Sequence, residues 1–192
     1  MKLVLASQNP HKIRELRSVL PDHWELLTPT DLGIAGELAE DGTTLHENAQ
    51  QKSEFLWRAC GLPSLADDSG LEVDFLDGMP GVHSAYFAGP QKSDSDNRAK
   101  LLLQMQGAVS RKARFKTVLA WTTQAGTSLY LGQVEGEITR EERGIQGFGY
   151  DSLFVPSEGD GRTFAEMQEG EKSLISHRSR AVAAWLKALQ KS

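Results

Sequence analysis

The opening of the chain most constrains its fold. Met1-Lys2-Leu3-Val4-Leu5-Ala6 is an apolar run of strand length that breaks into Ser7-Gln8-Asn9-Pro10-His11-Lys12. Asn9 is a good helix cap, Pro10 suits the first helical position, and Ile13, Leu16, Val19 and Leu20 follow on one helical face. A strand, a tight loop and a helix N-terminus result. Backbone amides and the positive end of the helix dipole face that loop, and Ser7, Asn9 and Lys12 add donors and a charge. An anion such as phosphate fits there. An ordinary capped helix with a solvated lysine would look the same.

The alternation continues. Thr44 and Glu47 form a capping box, and Leu45, Ala49, Lys52, Leu56 and Ala59 keep helical spacing until Gly61 and Pro63 stop it. Residues 62–76 read as two short β pieces around an acidic turn at Asp67, Asp68, Ser69 and Gly70. Residues 78–93 are rich in Gly and Pro and read as a loop, and Asp94 to Gln106 reads as a helix ended by Gly107. Two strand-like segments, 114–123 and 128–141, flank a turn at Gln124-Ala125-Gly126, the second with a bend expected near Gly132 or Gly136. A last helix carries Val182, Trp185, Leu186 and Leu189 on one face. The expected class is α/β: a mixed β-sheet flanked by helices, with two lobes around a central substrate cleft in a single domain spanning 1–192.

Composition excludes several functions. The net charge of −5 and the lack of any basic block argue against gripping a nucleic-acid polymer. A single cysteine, Cys60, permits no internal disulfide and reads as a buried thiol in a reducing compartment. No signal peptide or run of 18 apolar residues is visible, so a soluble cytoplasmic protein without a membrane partner is expected.

Three clusters can carry chemistry. Glu37, Glu40 and Asp41 precede the Thr44 helix, and Asp67 and Asp68 follow it. Solvated loop acids look alike, but two carboxylates such as Glu40 and Asp68 are enough protein ligands for magnesium. In 144–150, "GIQGFGY", the glycines do not follow a P-loop or dinucleotide fingerprint. Phe148 and Tyr150 can present rings there, with Asp151 as an acceptor; purine stacking and simple packing both fit. Lys172, His177 and Arg178 gather at the start of the last helix, where positive charge opposes the dipole unless an anion or an electron-rich base edge offsets it. His11, His23, His46 and His83 show no metal or triad context. With no nucleophile elbow and no histidine near Cys60, hydrolysis by metal-activated water remains.

In order and spacing, "SQNPHK", "AEDGTTLHENA", "ADDSGLEVD", "PGVHSA", "GFGYDSLFVP" and "EKSLISHR" resemble the inosine/xanthosine triphosphate pyrophosphatase family essentially end to end. The resemblance implies a magnesium-dependent house-cleaning enzyme that splits ITP, dITP and XTP into monophosphate and pyrophosphate, and a homodimer. It places the phosphate loop on Ser7, Gln8, Asn9, Pro10, His11 and Lys12, the metal on Glu40 and Asp68, and the proton acceptor for the attacking water also on Asp68. It puts Ser69 against substrate, and a purine pocket on Phe148, Gly149, Tyr150, Asp151, Lys172, His177 and Arg178. Family members commonly read Ser-Ala-Arg-Tyr where this chain has Ser84-Ala85-Tyr86-Phe87, so an arginine and a phenol hydroxyl are missing at those positions.

Overall fold

Leu3, Val4 and Leu5 are at most 2% exposed, because β1 (Lys2–Leu5) lies between two parallel neighbours and both of its faces are covered. In this computed structural model, which describes residues 1–34, 36 and 38–190, β1 is followed by α1 (Pro10–Arg17), β2 (Glu25–Leu27) and α2 (Leu45–Cys60). Then come β3 (Ser64–Val73), α3 (Asp94–Gln104), β4 (Lys112–Thr123), β5 (Gly126–Ile138), β6 (Phe154–Pro156), α4 (Glu169–Ile175) and α5 (His177–Leu189). One six-stranded sheet has the order β2-β1-β3-β4-β5-β6. β1 runs parallel to β2 (Leu3 opposite Leu26) and to β3 (Leu5 opposite Leu65), whereas β5 and β6 are antiparallel (Glu137 opposite Val155). The sheet is therefore mixed, and the class is α/β as expected.

The chain divides into two compact units, Met1–Asp68 with Thr117–Leu131 and Ala181–Ser192, and Ser69–Lys116 with Gly132–Arg180. In the first, Leu5, Leu16, Leu65, Leu119, Val182 and Trp185 share a core in which the Trp185 ring meets Trp24 and Trp121 at 5.7 and 5.2 Å. In the second, Leu71, Leu101, Phe115, Leu153, Phe154 and Phe164 pack together, with Phe115 edge-on to Phe154 at 4.7 Å.

Several expectations are corrected. There is no acidic turn between two short strands: β3 is a single ten-residue strand, with Asp67 and Asp68 buried inside it. The glycine that suggests a turn has another purpose, since a Cβ on Gly70 would lie 2.3 Å from the carbonyl oxygen of Gly81. Close approach of backbone, not reversal of the chain, demands glycine there. Gly136 acts likewise, since its Cβ would stand 2.3 Å from the Val155 carbonyl of β6. Part of the 78–93 loop is a 3-10 helix, Gly81–Tyr86. Helix α3 stops at Gln104, two residues early, and Val19 lies beyond the end of α1 and is exposed. Ser176, in an extended conformation, separates α4 from α5, so Lys172 does not share a helix with His177 and Arg178. Cys60 is half-buried rather than buried, its Sγ 3.0 Å from the Leu56 carbonyl that it donates to. β2 and β6, three residues each, are too short to show any alternation in sequence.

Candidate active site

Asn9 caps α1 as its sequence predicts: Oδ1 accepts from the amide of His11 at 2.9 Å and, at the 3.5 Å limit, from that of Lys12. Ser7 Oγ accepts from the Asn9 amide at 3.1 Å, which pins the loop on itself. Pro10 occupies the first helical turn, Gln8 is exposed, and Arg14 meets the His11 ring at 2.9 Å. Lys12 turns toward β3, with Nζ 3.1 Å from Asp67 Oδ2.

Helix α2 delivers the counterpart. Its capping box fixes where it begins: Thr44 accepts from the Glu47 amide, while Glu47 accepts from Thr43 and Thr44. From that start Asn48 and Lys52, one turn apart, fall on the buried face. Lys52 Nζ donates to Glu40 Oε1 at 2.7 Å, to Asp68 Oδ1 at 2.9 Å and to the Asp67 carbonyl at 2.9 Å. Asn48 Nδ2 reaches Asp68 Oδ2 at 3.4 Å, and its Oδ1 accepts from the Gly42 amide at 2.8 Å. A Cβ on Gly42 would collide with Glu47 at 2.6 Å, so glycine lets the segment bearing Glu40 lie against α2. Glu37 lies outside the described residues, and Asp41 exchanges long hydrogen bonds with Gln51 at 3.3 and 3.5 Å.

Burial alone would lower the Lys52 pKa, but Asp68, Glu40 and Asp67 outweigh it and hold the ammonium above its ordinary value. Asp68 is also raised, because burial, aided by Glu40, outweighs the lowering by Lys52 and Lys12. The two shifts have different causes, neighbouring acids for Lys52 and burial for Asp68, in a set where three acids share two ammoniums.

Glu40 and Asp68 thus converge on a single cationic centre while one negative charge remains in the set. Converging oxygen donors with charge to spare fit a hard divalent cation that takes few protein ligands and completes its shell with water and phosphate. Among the described residues no three acid, histidine or cysteine side chains gather as a fuller metal set.

The second unit holds the other cluster. Gly147 has φ +75°, and a Cβ there would lie 2.0 Å from Asp151 Oδ2, so only glycine permits the turn. Asp151 Oδ2 accepts from the Phe148 amide at 2.9 Å and from Lys172 Nζ at 2.7 Å. Lys172 stands 5.2 Å and the Arg178 guanidinium 5.7 Å from the Phe148 ring centre. Arg178 also donates to Ser69 Oγ at 3.3 Å, and the His177 ring stacks on Phe115 at 4.7 Å, 12° from parallel. The structure departs from expectation at Tyr150. Its ring is buried in the apolar core rather than presented, and its hydroxyl donates to the Ser84 carbonyl at 2.9 Å.

The sequence profile of the Ham1 family matches residues 3–188. This chain belongs to the Ham1 family. It is 45% identical over all of its length and all of that protein's to a dITP/XTP pyrophosphatase of Christiangramia forsetii, and 44% identical, covering 95% and 94%, to one of Porphyromonas gingivalis. The Ham1 protein structure of Staphylococcus aureus superposes with a TM-score of 0.90 at 36% identity, covering 100% of this chain and 98% of that one. That of Coxiella burnetii superposes at 0.92, also at 36% identity, over the full length of both.

Within this Ham1 chain, the six-motif reading of the sequence leaves out Lys52, the residue with the most contacts to the acids. Its signal was visible as a charged residue on the apolar face of a well-capped helix. At the position where the motif departs from its usual form, Tyr86 pairs its hydroxyl with His83 Nδ1 at 2.9 Å, and Phe87 lies beneath Lys100 at 4.5 Å. Both replacements are held by local contacts.

Proposed function

We propose that this Ham1-family chain is a nucleoside triphosphate pyrophosphatase that converts deaminated purine nucleotides, ITP, dITP and XTP, to monophosphate and pyrophosphate, keeping them out of DNA and RNA. The observation that carries the reading is the gathering of Glu40, Asp67 and Asp68 around the ammoniums of Lys52 and Lys12. The activity named for its full-length relatives supports it.

The capped loop Ser7 to Lys12 offers amides and an ammonium to the phosphate chain. A hard divalent ion, magnesium by this reading, would be held by Glu40 and Asp68 and would neutralise triphosphate charge. Asp68 orients a water toward the α-phosphorus and accepts its proton; the new oxygen–phosphorus bond forms as the bond to the β-phosphate oxygen breaks and pyrophosphate leaves. Lys52 keeps Asp68 ionised and its carboxylate oriented.

The purine is assigned to the second cluster: Phe148 offers a ring that the Lys172 and Arg178 cations lie over, Gly149 and Asp151 shape the turn, and Tyr150 anchors it from the core. Lys172 braces Asp151, and Ser69 and Arg178 act as a bonded pair. Donors at His177 or Arg178 would pair with an oxygen at purine position 6 and meet an amino group with a mismatch. Each unpaired buried polar group costs about 1–3 kcal/mol, so two give about a hundredfold discrimination or more. The protein would work in the cytoplasm as a homodimer; sedimentation showing only monomer would refute the latter.

The test is pyrophosphate release from ITP, XTP, dITP, GTP and ATP with magnesium. Turnover of the first three and little of the last two supports the reading. Equal turnover of all five keeps the hydrolase and removes the base selectivity, and no turnover with retained binding makes the chain a nucleotide sensor.

A further inference from the structure

Gly149 lies between Phe148 and Tyr150 in the glycine-rich turn, and both of its backbone polar groups are gripped by one helix. Its amide donates to Asp94 Oδ2 at 2.7 Å, and its carbonyl accepts from Arg98 Nη1 at 3.0 Å. Asp94 and Arg98 stand four residues apart on α3, so they share a face and between them hold the two peptide groups that flank the Gly149 Cα. Arg98 is braced in turn, with Nε 2.7 Å from Glu142 Oε2, which also accepts from Ser152 Oγ at 3.0 Å. Gly149 is in the left-handed region at φ +60°, with open space where a Cβ would be. A turn with glycines at 147 and 149 has many conformations to lose, and its own hydrogen bonds through Asp151 hold only the Phe148 side.

We propose that Asp94 and Arg98 are a positioning pair for base recognition: by clamping Gly149 they present the Phe148 ring in one orientation before a purine arrives. The proposal deepens the nucleotide reading and rests on it for its kinetic part. Neither residue touches the phosphate machinery, and neither belongs to the motifs that mark the site in sequence. Their effect falls on binding, because an ordered stacking surface lowers the entropy cost of capture without altering attack at phosphorus. Asp94→Asn keeps an oxygen acceptor for the Gly149 amide and is the conservative variant, whereas Asp94→Ala and Arg98→Met remove one arm each.

Two measurements on the full chain test this, each on variants whose melting temperature shows that they are folded. In amide hydrogen exchange, the peptide covering 145–153 should exchange about tenfold faster in Asp94→Ala and Arg98→Met than in wild type, with Asp94→Asn between. In pyrophosphate release from ITP, KM should rise about tenfold in the same two variants with kcat within about twofold, and Asp94→Asn should recover most of the loss. If Asp94→Ala does not fold, Arg98→Met alone gives both readings. Unchanged exchange in both folded variants overturns the clamp. Faster exchange with KM unmoved, or with kcat falling alone, overturns its role in base recognition. If the wild type leaves ITP intact, the nucleotide reading fails, and exchange still decides whether the clamp exists.

Discussion

Lys52 Nζ lies 2.9 Å from Asp68 Oδ1, and both residues are buried, the lysine 4% and the aspartate 8% exposed. A buried lysine among acids is costly to desolvate unless its partners are in place, and here three acceptors come from two places in the chain: Glu40, and the Asp67 carbonyl with Asp68 on β3. Lys52→Met should therefore leave buried carboxylate without its cation and cost about 3 kcal/mol or more of stability. Urea unfolding followed by circular dichroism measures it; a loss within about 0.5 kcal/mol would mean the acids find other partners.

Asp68→Asn keeps the shape and removes the proton acceptor. It should lower kcat for ITP by about 10²- to 10⁴-fold. The wild-type rate should also fall on acidification, because only ionised Asp68 accepts the proton. A pH–rate profile of kcat with no acid limb would remove Asp68 as the base.

Phe148→Ala should raise KM for ITP about tenfold with little change in kcat, since stacking of a base on an aromatic ring contributes about 1–3 kcal/mol. Phe148→Trp should retain or improve binding. Steady-state kinetics on the two variants decide it, and equal KM values for both would show that the ring only packs.

Tyr150 gives a pH signature in stability. Burial pushes its phenol above the ordinary value of 10.0, with Asp94 adding to the shift. A group whose pKa is raised on folding stabilises fully below its unfolded pKa, and that contribution is lost as pH rises through the folded value. Wild-type melting temperature should thus decline above pH 10.0, and Tyr150→Phe should decline less steeply. At neutral pH the variant should be destabilised by about 1–3 kcal/mol, because the buried Ser84 carbonyl loses its donor. Parallel pH–melting curves would refute the assignment.

The sequence by itself determined the local elements and the chemical inventory. The β1-loop-α1 start, the boxed α2, the β4–β5 hairpin and the apolar stripe of α5 are each written in near-neighbour spacing, where periodicity, caps and turn residues act directly. Ser7, Asn9 and Lys12 follow from the same local pattern of loop and cap, whereas the pairing of Glu40 with Asp68 is what the family resemblance implies. What tertiary structure decided is how charges and backbones meet. Asp67 and Asp68 read as an acidic turn because nothing local pairs them; Lys52 and Lys12, 15 or more residues away, allow them inside a strand. Gly70 and Gly136 read as a turn and a bend because sequence cannot show the carbonyl each must admit. Tyr150 reads as a presented ring because only the packed core reveals which way it faces. Local pattern reports what a residue prefers, whereas burial and long-range pairing decide what that preference is used for.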